Sequence, residues 1–126
     1  MSILAIDFGT KRIGLAISEG FLAQPLQVLS NDKKIFSKLK RICAKNNVEK
    51  VIVGIPEGTL VDKILRFAKD LQKELKIKVE LESEILTTET AKKLLIEAKR
   101  GQKFRKESLD AAAATVILQQ YLDSQK

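Results

Sequence analysis

The stretch from Ile3 to Gly14, Ile-Leu-Ala-Ile-Asp-Phe-Gly-Thr-Lys-Arg-Ile-Gly, constrains the fold more than any other. Four apolar residues, Ile3 to Ile6, run without a break, the pattern of a short strand covered on both faces. The run ends at Asp7, so a carboxylate stands at the mouth of a buried strand. Gly9 can adopt backbone angles closed to other residues and lets the chain turn back sharply. Lys11 and Arg12 put positive charge on that turn. Ile13 to Ile17 then resume the apolar pattern as a second strand, antiparallel to the first. An aspartate at a strand end is commonly a turn residue bonded to nearby backbone. Beside exposed amides and two cations it is also a place for a metal ion and a phosphate, and the rest of the chain has to decide.

Composition narrows the chemistry. The 126 residues suit one domain, 1–126, and 44% hydrophobic content is enough for a core. No apolar run reaches the length of a membrane span, and Asp7 comes too early for a signal peptide, so the expected location is cytoplasmic. The one cysteine, Cys43, excludes an internal disulfide and falls in an apolar helical pattern that predicts burial. The chain has no histidine. That removes Ser-His and Cys-His catalysis and imidazole zinc sites, leaving carboxylates, lysine, hydroxyls or a metal held by oxygen. A net charge of +7 points to a polyanionic partner, nucleic acid first.

Along the chain, Gln24 to Leu29 reads as a third strand, with Pro25 near its start, completing a meander. Ser30-Asn31-Asp32 offers N-caps for a helix carrying Ile35, Phe36, Leu39, Ile42 and Cys43 at helical spacing. Asn46-Asn47 suits its stop. Val51 to Pro56 is a continuous apolar run and predicts a central strand. Leu60, Val61, Ile64, Leu65, Ala68, Leu71 and Leu75 mark a second helix, and the strand–helix–strand crossover should be right-handed and parallel. Ile77, Val79 and Leu81 alternate with charged residues, as a half-exposed strand near a sheet edge does. Thr87 and Thr88 cap a further helix with Ala91, Leu94, Leu95 and Ala98 inward. Residues 101–107 read as a mobile cationic loop with Phe104 among its cations, a pattern suited to phosphate contact and stacking. Ser108 is read as the N-cap of a last helix from Leu109 to about Asp123. On it, Asp110, Ala114, Ile117 and Tyr121 share an apolar face, so Asp110 points inward.

The expected fold is therefore α/β, a five-stranded mixed sheet made of a three-stranded antiparallel meander plus two parallel strands, flanked by helices. Three acids stand out by position. Asp7 ends the first strand, Glu84 follows the last, and Asp110 starts the final helix facing inward. Functional groups of open α/β sheets gather at the carboxyl ends of parallel strands. Converging carboxylates need cations to stay ionised, and an oxygen-only site suits Mg²⁺ or Mn²⁺. Two such ions, roughly 3.5–4 Å apart, would support phosphodiester hydrolysis without histidine.

Asp7-Phe8-Gly9-Thr10-Lys11-Arg12-Ile13-Gly14, Val51 to Pro56, Leu86-Thr87-Thr88 with Ala91, and Ser108 to Ala113 running into Ile117-Leu118-Gln119 together resemble the YqgF/RuvX family. That family is described both as Holliday-junction resolvases and as nucleases of pre-16S ribosomal RNA. The resemblance implies a ribonuclease H-like fold. It also implies metal-bound acids at Asp7, Glu84 and Asp110, with Thr10, Lys11 and Arg12 near the scissile phosphate. The chain departs from the family at Ser83-Glu84-Ile85, where Asp-Glu-Arg is usual, and in a shorter segment after Ile55-Pro56.

The expected function is a Mg²⁺- or Mn²⁺-dependent nuclease, most directly in 5′-end maturation of pre-16S ribosomal RNA. Lys11, Arg12, Lys103, Arg105 and Lys106 would hold phosphates of structured RNA or branched DNA. The alternatives are a junction-cleaving DNA endonuclease and a binding protein without catalysis. Asp7-Phe8-Gly9-Thr10 also resembles the phosphate loop of actin-like ATPases and sugar kinases, but those need a second domain. Monomer and homodimer both fit, and no membrane association is expected.

Overall fold

A computed structural model describes residues 1–55, 61–83 and 106–125, with side chains in the last segment from 110 onward. β1 (Ser2–Phe8), β2 (Arg12–Ser18) and β3 (Gln24–Ser30) form the meander, followed by α1 (Ile35–Lys45), β4 (Val48–Ile55), α2 (Val61–Leu75), β5 (Lys78–Ser83) and α3 (Lys106–Ser124). The sheet order is β3-β2-β1-β4-β5, with β1 antiparallel to β2 and parallel to β4, and β4 parallel to β5. This is the expected mixed sheet, with the two continuous apolar runs, β1 and β4, at its centre.

Those strands are apolar throughout because both faces are covered. Leu4, Ile6, Ile13, Leu15, Val51 and Val53 face α1 and α2, where Leu39, Ile64 and Leu71 are fully buried. Each such side chain contributes roughly 1.5–3 kcal/mol of transfer free energy. The other face carries small residues, Ala5 and Ala16 with Ile52, against Ala114, Ile117, Leu118 and Tyr121 of α3. Small on small brings α3 close to the sheet.

Asp32 accepts from the Lys34 amide at 2.9 Å and from Lys38 Nζ at 3.1 Å before α1 begins, and these bonds lower its pKa. Asn47 ends α1 at φ 54°, the left-handed conformation that asparagine tolerates. Lys76 ends α2 at φ 55°, with its amide donating to the Gln72 carbonyl at 3.0 Å.

Two expectations need correction. Leu65 is exposed, because the inward stripe of α2 runs Ile64, Phe67, Ala68, Leu71, Leu75 and leaves position 65 outside it. α3 begins at Lys106, so Lys106 and Glu107 are helical rather than loop, and Ser108 is its third residue rather than its N-cap. Lysine and glutamate are good helix formers, and a glutamate in the first turn is favoured by the dipole. Asp110 is thus one turn further in than its sequence position suggested.

Candidate active site

Two backbone features bring Asp7 and Asp110 together at the carboxyl end of β1. Asp7 pairs with Gly14 across the β1–β2 ladder. Strand alternation puts Asp7 on the face of Ile3 and Ala5, which is the face α3 covers. Gly14 then receives α3. A Cβ built on Gly14 would overlap the carbonyl carbon and oxygen of Asp110. Only a residue without a side chain lets the helix come so close, and Asp110 is thereby set one cross-strand step from Asp7.

Arg12 shares strand parity with Gly14 and completes the group. Its Nε donates to Asp110 Oδ2 at 2.9 Å, and the two side chains are 38% and 28% exposed. The inward face expected for Asp110 is present, with Ala114 and Ile117 buried below it. The guanidinium expected near a phosphate is bonded to a carboxylate expected near a metal.

The turn between β1 and β2 is held from β3. The Asn31 amide donates to the Lys11 carbonyl and Asn31 Nδ2 donates to the Gly9 carbonyl, both at 2.8 Å. Asn31 is thus a strut rather than the helix cap its neighbours suggested. Gly9 is required because a Cβ there would lie 2.5 Å from the Arg12 carbonyl oxygen. Thr10 and Lys11 are exposed at the tip of this braced turn.

The far side is held by α3. Gln120 Nε2 donates to Glu82 Oε1 and to the Ser83 carbonyl, both at 2.9 Å, fixing the end of β5. Further down the same face, Lys50 Nζ donates to the Tyr121 hydroxyl at 2.8 Å and lies 3.6 Å from Glu80. The Tyr121 bond and the Glu80 charge hold the Lys50 ammonium above its ordinary pKa. Burial pushes the Glu80 carboxyl up, but bonds from Lys78 and Tyr121 and the Lys50 charge outweigh it, leaving Glu80 below its ordinary value.

Glu84, Lys103 and Arg105 lie outside the described residues, as does the side chain of Lys106. Among the described residues no three acids, cysteines or histidines cluster closely enough to hold a metal ion. Asp7 and Asp110 are two carboxylates on this one face of the sheet, and hard oxygens of that kind are the chemistry Mg²⁺ or Mn²⁺ takes, with more ligands than two. Gly14, Asn31 and Gln120 are the site residues that sequence reasoning missed. For Gly14 a signal existed, since glycine inside an apolar strand marks close approach of another backbone.

A sheet ordered 3-2-1-4-5, with a carboxylate at the end of β1 and a helix carrying a second one across it, defines a ribonuclease H-like α/β protein. Solved structures agree on the fold: Thermus thermophilus RuvC in complex with a Holliday junction substrate superposes with a TM-score of 0.69 at 15% identity, covering 100% of this chain and 97% of that one. Fowlpox virus resolvase in complex with Holliday junction DNA gives 0.65 at 16%, covering 99% of each. The family model described as "RuvX: Holliday junction resolvase" matches residues 1–124, and the chain belongs to that family. Relatives from Thermoanaerobacter pseudethanolicus, 42% identical over 100% of this chain and 99% of theirs, and from Syntrophomonas wolfei, 41% identical over 98% and 94%, both carry the name "Putative pre-16S rRNA nuclease".

Proposed function

We propose that this chain is a divalent-metal-dependent nuclease that trims precursor 16S ribosomal RNA at the rim formed by Asp7, Arg12 and Asp110. The observation that carries the reading is the Gly14 seat, which sets the Asp110 backbone against β2 beside Asp7 on one face of the sheet. Asp7 and Asp110 would hold Mg²⁺ or Mn²⁺ together with Glu84, which continues the sequence parity of Glu80 and Glu82. The bound ions would supply an activated water and stabilise the leaving oxygen. Lys11, on the braced turn, meets phosphate from the solvent side. Lys103, Arg105 and Lys106, a cationic run in the sequence just before Asp110, would add further phosphate contacts.

Arg12 decides between this reading and a binding protein without catalysis, in which its pair with Asp110 would be structural. An ion pair this exposed is worth about 0–1 kcal/mol. A divalent ion competing for Asp110 outweighs that, and the guanidinium fork released suits two phosphate oxygens. Arg12 is the counter-ion of Asp110 in this structure and would be free to hold phosphate where Asp110 held a cation.

The test is incubation of the purified chain with a 5′-extended 16S precursor and with four-way DNA, each with Mg²⁺ or Mn²⁺. Trimming of the RNA that is lost in Asp7→Asn supports the proposal. Cutting of the junction alone transfers the site to DNA. Unchanged activity in Asp7→Asn, or no Mn²⁺ binding by calorimetry, rejects it.

A further inference from the structure

Residues 33–45 hold six basic side chains and no acidic one. Removing those six from the 23 Lys and Arg leaves 17, against 16 Asp and Glu. The rest of the chain is close to neutral in sum although it includes the cationic run 99–106, so residues 33–45 are one of two strongly positive stretches. α1 packs on the sheet face opposite α3 and the carboxylates. α2, beside it, mixes Asp62, Asp70 and Glu74 with its cations and shows no such bias.

Helix stability does not account for this distribution. Lys33 and Lys34 precede the N-terminus of α1, where the helix dipole disfavours positive charge, and no acid stands in the first turn. Lys34 and Lys38, and Arg41 and Lys45, are like charges four residues apart, which repel. Of these six cations, Lys38 alone has a salt-bridge partner among the described residues, Asp32. Lys33, Lys34, Lys40, Arg41 and Lys45 are exposed.

The surface is continuous with the candidate active site. Asn31 ties the start of α1 to the turn that carries Lys11, so Lys33 and Lys34 stand beside that turn. From there the cations follow α1 for about 16 Å at 1.5 Å per residue. At its far end a groove of about 320 Å³ between α1 and β3 has Leu26, Leu29 and Ile42 for a floor and Lys38, Arg41 and Lys45 along its wall. Lys34, Lys38, Arg41 and Lys45 recur at helical spacing on one face of α1, whereas Lys40 faces its other flank beside Leu75 and Ile77. A polymer with evenly spaced negative charge is the partner that suits such a row.

We infer that α1 is a second nucleic-acid contact, gripping the phosphate backbone of duplex RNA outside the bond being cut. The identity of the polymer rests on the nuclease reading; the contact itself does not. Binding of a short blunt RNA duplex is measured in EDTA against KCl concentration, for the wild type and for Lys34→Glu/Arg41→Glu/Lys45→Glu. The variant is expected to bind at least tenfold more weakly at low salt. Its log–log salt slope should be smaller by about 2.7, roughly 0.9 for each lost phosphate contact. Lys34→Gln/Arg41→Gln/Lys45→Gln, which adds no acid, gives the same slope change if the first variant folds poorly, and thermal melting verifies both. A wild-type slope in the glutamine variant overturns the inference, even with cleavage intact. Capture of poly-glutamate in preference to the duplex would assign the face to an acidic protein and also overturn it. A chain that cleaves nothing, yet loses duplex binding in both variants, keeps the inference and loses only the nuclease reading.

Discussion

Gly14 and Asp110 touch backbone to backbone, and that contact seats α3 on the sheet. The overlap that a Cβ would create is with a carbonyl group, not with the end of a flexible side chain. Gly14→Ala can be accommodated only by moving the helix. The expected cost is at least about 2–3 kcal/mol, at the upper end of overpacking effects, read as a lower denaturation midpoint. Any protein that still folds should lose cleavage, because Asp110 is displaced from Asp7.

Asp110→Asn separates chemistry from folding. The Arg12–Asp110 pair is only partly buried, so its loss should change stability by no more than about 1 kcal/mol in urea denaturation. Cleavage should fall at least about 100-fold, the order seen when a group that stabilises developing charge is removed. A stability loss as large as that of Gly14→Ala would mark Asp110 as structural.

Asn31→Ala removes the donor to the Gly9 carbonyl but keeps the backbone bond to Lys11. The expected cost is about 1–2 kcal/mol, the range for an unpaired, partly buried polar group. With the turn loosened, KM should rise more than kcat falls. Asn31→Asp, which cannot donate, should behave like the alanine variant.

Glu80 and Lys50 give the fold a pH signature. The Glu80 pKa is lowered from its ordinary 4.5, so its stabilising effect is complete above that value and fades as pH falls through the folded-state value. The Lys50 pKa is raised from 10.5, so its effect is complete below that value and fades as pH rises further. The stability gap between wild type and Glu80→Gln should therefore be flat at neutral pH and shrink below pH 4.5, as followed by thermal melts.

Cys43 is 3% exposed, and burial pushes its thiol up to about 11. At pH 8 it stays protonated and shielded. Native protein should react with a thiol reagent only as fast as it opens, and denaturant should make the reaction immediate.

What the sequence revealed follows from its local patterns. Unbroken apolar runs predicted β1 and β4 as central strands because period and composition report burial on both faces. Helical spacing predicted that Asp110 shares a face with Ala114, Ile117 and Tyr121. Contacts between distant segments left no such trace. Arg12 meets Asp110 across 98 positions and Asn31 meets Gly9 across 22, and neither periodicity nor capping preference encodes a partner so far away. The start of α3 was misplaced because a cap preference is read from residue type alone, and serine is also tolerated as the third residue of a helix, where Ser108 stands. The net charge was legible as a number, but that the share of it on α1 lies on the sheet face opposite the carboxylates needed the topology.

β3 lies at the margin of the sheet and would ordinarily offer a neighbour an unsatisfied row of amides and carbonyls. Pro25 removes one donor from that row, and the register shift opposite Leu15 and Ala16 bends the ladder there. Strand-by-strand polymerisation along this margin is thereby discouraged. A margin interrupted in this way is a poor template for added strands, and Pro25→Val should make the protein visibly more prone to grow fibrils from it.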